Sequence, residues 1–463
     1  MSFLICLGAL VFLMFVAYRG FSVILFAPVA AMLAVFLTDP AAVPPVFSGL
    51  FMEKMVVFVK LYFPVFLLGA VFGKVIELSG FSTSIVSSVI HVVGKSRAML
   101  SIVLVCSILT YGGVSLFVVV FAVYPFAAEI FRLSDIPKRL MPPTIALGAF
   151  TFTMDSVPGT PQIQNIIPTT FFKTDTWAAP WLGLIGAAFI LICGLTYLDW
   201  RRRQAVKAGE GYGTCHSNEP EPVAAAEHIN PFIAISPLVV VGVVNALLTS
   251  LITAWYGKDY QVTLAGLDHP IDVQVASVAA IWAVEGALLM GILTVFVFAF
   301  KATAGKFAEG SKSAVGGALL ASLNTASEYG FGAVIAALPG FLVIKQALQA
   351  IPNPLINEAI TVSSLAGITG SASGGLSIAL ASMANQFVEA ANAHGIPLQV
   401  LHRVAAMASG GMDTLPHNGA VITLLAVTGL THRQSYGHIF VLTCLKTLAV
   451  FVVIAVYYAT GLI

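Results

Sequence analysis

The sequence predicts an all-α integral membrane protein made of an inverted repeat, with two re-entrant hairpins and two broken transmembrane helices. Three observations carry that expectation. Of the 463 residues, 58% are hydrophobic and only 9% are charged, whereas soluble chains charge about a quarter of theirs. Apolar runs at 3–17, 21–37, 181–198 and 439–459 are long enough to cross roughly 30 Å of hydrocarbon as helices and too long for the strands of a barrel. The third observation is a repetition: Met154-Asp155-Ser156-Val157-Pro158 returns as Met412-Asp413-Thr414-Leu415-Pro416, roughly 260 residues later.

The repetition extends upstream. Gly112-Gly113-Val114-Ser115 and Ile136-Pro137 precede the first acid as Gly374-Gly375-Leu376-Ser377 and Ile396-Pro397 precede the second. Further back, Phe72-Gly73, Val75-Ile76 and Gly80-Phe81 match Phe331-Gly332, Val334-Ile335 and Gly340-Phe341. A duplicated unit of half the chain explains the matched spacing. It divides the chain into a first repeat over 1–200, a linker over 201–230 and a second repeat over 231–463.

Two spans, 2–18 and 21–37, precede a proline-rich loop at 39–45, a third span at 54–77 and an amphipathic piece at 81–93 expected in the membrane plane. Residues 97–132 pose a conflict, because they would form a helix of about 50 Å in a core of roughly 30 Å. Gly112-Gly113 near their centre resolves it as a hairpin of two half-helices, which depth permits only where protein or water covers the irregular backbone. The span 140–170 holds Asp155 and is interrupted at Pro158, Gly159 and Pro161, since proline removes an amide donor. After a span at 181–198, Arg201-Arg202-Arg203 opens a polar stretch with glycine, glutamate and proline, expected to be a plain tether. The second half repeats the order, with spans at 231–254, 275–300 and 313–338 and an in-plane piece after Gly340. A hairpin at 357–392 follows, broken between Gly370 and Gly375, then a broken span at 399–430 with Asp413 and a last span at 437–460.

Five crossings separate the hairpins, so they enter from opposite faces. Charge placement agrees. With the linker cytoplasmic, Arg19, Lys95, Arg97, Arg132, Lys138, Arg139, Lys301, Lys306, Lys312 and Arg433 share its side; Lys54, Lys60, Lys173, Lys258 and Lys345 lie outside, as do both termini. The net charge of +1 and the lack of a basic, aromatic-studded face exclude nucleic acid as a partner. Five scattered cysteines indicate neither a disulfide framework nor a zinc set, and no metal or cofactor is expected. The first apolar run has no basic start or cleavage site and is expected to be retained as a span.

Half-helix ends meeting at the midplane offer N–H groups with partial positive charge, a site for a small anion. Gly112, Gly113, Ser115, Ser371, Ser373, Gly374, Gly375 and Ser377 allow close backbone approach and offer hydroxyls. Ser156, Gly159, Thr160, Gln162, Gln164 and Asn165 add to that lining in one broken span, and Thr414, His417 and Asn418 in the other. Small residues and serines also pack membrane helices; their repetition at matched positions favours the binding reading. Asp155 and Asp413 are costly at depth and functional by default. Each has a plainer role as the N-cap of the half-helix after it. The sharper expectation is that one titrates, because a charged carboxylate repels an anion and a protonated one does not; His417 is the competing titrating group. Glu285, Asn324 and Glu328 are expected to hydrogen-bond between helices, and Arg403 to snorkel from a span end.

The Gly112-Gly113-Val114-Ser115 hairpin, the stretch from Met154 to Asn165 and the stretch from Ser409 to Asn418 resemble the gluconate permease family of the ion transporter superfamily. The resemblance covers most of the chain, the linker least. It implies proton symport of a sugar acid or short hydroxy acid across a bacterial inner membrane, by a homodimer whose mobile domain moves like an elevator. Within that family the chain is similar to 3-hydroxybutyrate permeases, which favours a short hydroxy acid over gluconate. An anion channel would use the same glycines, but paired re-entrant elements around central acids suit alternating access. An enzyme is disfavoured, since neither an H-E-x-x-H pair nor a G-x-S-x-G elbow is present.

Overall fold

The overlong apolar stretches of this chain are broken or bent, as the thickness of a membrane requires. The computed structural model describes residues 2–19, 21–94, 97–114, 116–214, 218–220, 229–264, 266, 269–343, 351–416 and 418–463. Helices α1 (Ser2–Tyr18) and α2 (Val23–Thr38) lead into helical turns from residue 40 to residue 51, where the sequence predicts a loop over 39–45, and then into α3 (Met52–Leu78) and α4 (Phe81–Val93). Stretch 97–132 is two helices, α5 (Ala98–Tyr111) and α6 (Leu116–Leu133). Gly113 turns between them at φ +93°, a left-handed conformation that glycine adopts without strain. The first broken span is α7 (Met141–Ala149), a single turn α8 (Phe152–Asp155) and α9 (Ile163–Phe172), followed by α10 (Pro180–Lys207).

The second half opens with α11 (Pro231–Tyr256) and α12 (Val275–Ala337). Helices α13 (Pro354–Thr369) and α14 (Ala372–Ala393) form the second hairpin, close enough that a Cβ on Gly375 would lie 2.0 Å from the Ala366 Cα. Helix α15 (Leu398–Gly410), a 3-10 turn (Gly411–Thr414) and α16 (Gly419–Thr428) make the second broken span, and α17 (Gly437–Thr460) ends the chain. Among the described residues, five helices are long and apolar enough to cross a membrane.

Two further elements differ from expectation. The spans at 275–300 and 313–338 are two helical arms that meet at a sharp kink at Ala299 (φ −134°, ψ 33°), with no loop between them. The Phe296 and Phe307 rings meet across the bend at 5.1 Å, where a straight helix would separate them by about 16 Å along its axis. No connecting loop forms because Lys301 to Lys312 is rich in alanine, lysine and other helix formers. Between α11 and α12, β1 (Asp259–Val262) and β2 (Ile271–Gln274) pair antiparallel as a small exposed ribbon. Most of the piece expected in plane after Gly340 lies outside the described residues.

The two hairpins open toward opposite ends of the molecule. Arg132 and Lys138, at the end of α6 and just before α7, pair with Glu219 of the linker, and Arg139 contacts His438 at the start of α17. At the far end of α17, Tyr458 donates to Asn353, which caps the start of α13. Trp181 N–H donates to the Ile463 carbonyl and Gly340 lies against Ser2, so both chain ends sit away from the linker. Helix α12 packs along α3, α11, the second-hairpin helix α14 and α2, while the hairpins and broken spans otherwise pack chiefly on one another, on α10 and on α17.

Candidate functional site

The breaks converge on α17. Lys446, midway along that helix and 1% exposed, donates to the Phe150 carbonyl at 3.1 Å and to the Gly410 carbonyl. Phe150 caps the C-terminus of α7 and Gly410 ends α15, so one ammonium meets the negative ends of both half-helices. It also lies 2.9 Å from Asp155 Oδ2, an ion pair by distance though not an aligned hydrogen bond. Ser156 donates to Asp155 Oδ1 at 2.6 Å. Neither Asp155 nor Ser156 is exposed at all.

Asp413 has different company. Its Oδ2 accepts from Gln164 Nε2 at 2.8 Å and its Oδ1 from Ala372 N–H at 3.2 Å. Ala372 is the first residue of α14, so the carboxylate rests on a helix N-terminus, where anions are favoured. Among the described residues no cation lies within ion-pair distance of it, Lys446 being paired with Asp155. At the same tip Ser371 accepts from Gly374 N–H, and Ser373 lies 3.3 Å from Thr325 and 3.5 Å from Ser371. Glu328 presses its carboxyl against Gly374, where a Cβ would lie 1.6 Å from Glu328 Oε2, and that oxygen has no hydrogen-bond partner among the described residues. The sequence places Glu328 in helix packing; the structure puts it at the hairpin tip.

Several expected lining residues spend their hydrogen bonds on the frame. Asn165 donates to the Thr160 and Thr176 carbonyls, and Thr160 to Thr153 O. Gln162 reaches Thr110 O in the first hairpin, 2.7 Å away. Gly159 turns at φ +76° and accepts from Asn245. Asn418 donates to Gly370 O, Thr414 shares a 2.7 Å hydrogen bond with Thr443, and Ser377 bonds back to Ser373 O. Gly112 abuts Leu238, and Gly113 abuts Leu288 and Pro161. Ser115 and His417 lie outside the described residues.

Arg403 does not snorkel. It is fully buried and donates to Ala178 O, to Asp155 O at 2.7 Å and to Asn165 Oδ1 at 3.0 Å. Its forked donors match the Asp155 carbonyl that the first break frees and the Ala178 carbonyl just before α10. The linker is not a plain tether either. Glu210 binds Arg139 through both oxygens, and Tyr212 and Glu219 meet Asp135, Lys138 and Arg132. Hydrogen bonding from Arg139 holds the Glu210 carboxyl below its usual range, against the effect of burial. Lys446 went unnoticed in the sequence, although a lone lysine within an apolar run is itself a signal.

No family model matches the chain. Over its full length it is 56% identical to a Bacillus subtilis protein described as an uncharacterized transporter, YxjC, all of which is covered. Among solved structures, the Alcanivorax borkumensis YdaH transporter, whose crystal structure is said to reveal an unusual topology, has a similar fold. That likeness has a TM-score of 0.50 over 91% of this chain and 90% of the other, at 14% identity.

Proposed function

This chain belongs to the same family as the Bacillus subtilis transporter YxjC, and on that premise we propose that it is a proton-coupled symporter of a small hydroxy-carboxylate anion. The observation that carries the reading is the Asp413 carboxylate resting on Ala372 N–H with Gln164 alongside. A carboxylate substrate needs those same donors. While Asp413 is ionised it holds them and repels the incoming anion; protonation removes both obstacles, so proton and substrate load together. Lys446 and Asp155 are paired with each other, so the proton of Asp413 itself decides the balance. Uptake should therefore rise as the pH on the loading side falls.

The substrate class follows from the hydroxyls at the second hairpin tip, Ser371 and Ser373, and from the resemblance to gluconate permeases. A short hydroxy acid such as 3-hydroxybutyrate is the proposed cargo, with gluconate or another sugar acid as the alternative. The hairpins, broken spans, α10 and α17 would carry it as an elevator against α1–α3, α11 and α12, in a homodimer of a bacterial inner membrane with the linker cytoplasmic. The test is uptake of labelled 3-hydroxybutyrate into proteoliposomes under an inward proton gradient, competed with gluconate, lactate and dicarboxylates at two pH values. Accumulation above equilibrium, blocked by hydroxy acids, supports the reading. Uptake that only equilibrates would mark a channel and end it.

A further inference from the structure

The Lys446 ammonium occupies a place that elsewhere in membrane transporters suits a free ion. Unwound carbonyls and half-helix C-terminal ends are where ion-coupled transporters with discontinuous helices hold sodium. Here the Phe150 carbonyl at the end of α7, the Gly410 carbonyl at the end of α15 and the Asp155 carboxylate gather around one Nζ. The two carbonyls come from the two broken spans, and the lysine reaches them from a third helix.

The cradle is built to fit closely. A Cβ on Gly410 would lie 1.7 Å from Asp155 Oδ2 and 2.9 Å from Lys446 Nζ, so only glycine leaves room for both charged groups. Asp155 is wholly buried and Lys446 is 1% exposed; a lone charge of either sign there would be very costly. Three oxygens, one of them anionic, require one positive charge at their centre.

We propose that this is a monovalent-cation site whose ion is tethered to the chain, and that shortening Lys446 opens it to Na⁺ or NH₄⁺. The intact protein then has no use for sodium at this position. The inference stands on the cradle alone and not on the identity of the cargo. A failed cation effect leaves coupled uptake untouched, and failed uptake leaves the cation effect untouched.

The experiment is thermal unfolding of purified Lys446→Ala in detergent, in choline chloride against NaCl and NH₄Cl at matched ionic strength. Saturable binding to the folded state raises the midpoint, and a shift of about 3 °C or more in NaCl or NH₄Cl is expected. Wild type should show none. Lys446→Met, whose stem fills the space without charge, should show none, nor should the double variant Asp155→Asn/Lys446→Ala. If Lys446→Ala is recovered folded only in sodium or ammonium buffers, that too supports the site. A folded Lys446→Ala indifferent to the cation, an equal shift in wild type, or aggregation in every salt overturns it.

Discussion

Asp155 and Asp413 sit in near-identical pentapeptides, yet their surroundings differ. Asp155 is fully buried beside a lysine, with a serine on its other oxygen. Asp413 is 7% exposed and is held by a glutamine and a backbone amide, both neutral. A duplicated acid has thus taken two roles. One completes a neutral pair that pins the broken spans to α17, and the other is held at the mouth of α14 by neutral donors alone, as the coupling proposal requires.

The largest expected effect breaks the first role. Asp155→Asn strands the Lys446 ammonium in a dry interior, and losing one partner of a buried pair costs about 3 kcal/mol or more. Unfolding in detergent should show that loss, and adding Lys446→Met should recover most of it. Asp413→Asn tests the opposite arm. It should cost no more than about 1 kcal/mol, the size of one altered hydrogen bond, yet reduce proton-driven accumulation to simple equilibration. Equal destabilisation by the two substitutions would erase the distinction.

Smaller effects sharpen it. Gly410→Ala crowds Asp155 and Lys446 and should cost about 1–3 kcal/mol in the same unfolding assay, the usual range for overpacking. Gly367→Ala meets only the flexible Met412 side chain, its sulfur at 3.4 Å, beside Asp413, and should be nearly silent. The smallest effect belongs to a carboxylate outside the membrane. Because Arg139 depresses the Glu210 pKa, the pair stabilises linker docking above the ordinary carboxylate range and loses that contribution as pH falls through the depressed value. Glu210 is 40% exposed, so the contribution is at most about 1 kcal/mol. Protection of the amides at 208–214, measured against their intrinsic exchange rates, should fall below about pH 4, in a sense opposite to the acid stimulation expected at Asp413.

Much of this was legible in the sequence because membrane thickness is unforgiving. A run such as 97–132 cannot cross straight, and Gly112-Gly113 showed where it turns. The repeated Met-Asp motif likewise located both breaks. What distinguishes the two aspartates was not legible, because Lys446 lies on a separate helix far along the chain and nothing in either pentapeptide mentions it. Arg403 misled through its place near the start of a span, where snorkelling is ordinary, since its carbonyl partners come from the other repeat. The bend at Ala299 has no proline to announce it. The linker looked like a tether because its few acids reveal their partners only once Lys138 and Arg139 are brought beside them.

The claim that Asp413 is the coupling acid is tested most directly by counting protons. Substrate binding to purified protein in weakly buffered detergent solution should take up close to one proton per 3-hydroxybutyrate bound in wild type, by linkage, and none in Asp413→Asn that still binds. Undiminished proton uptake in Asp413→Asn would contradict the account.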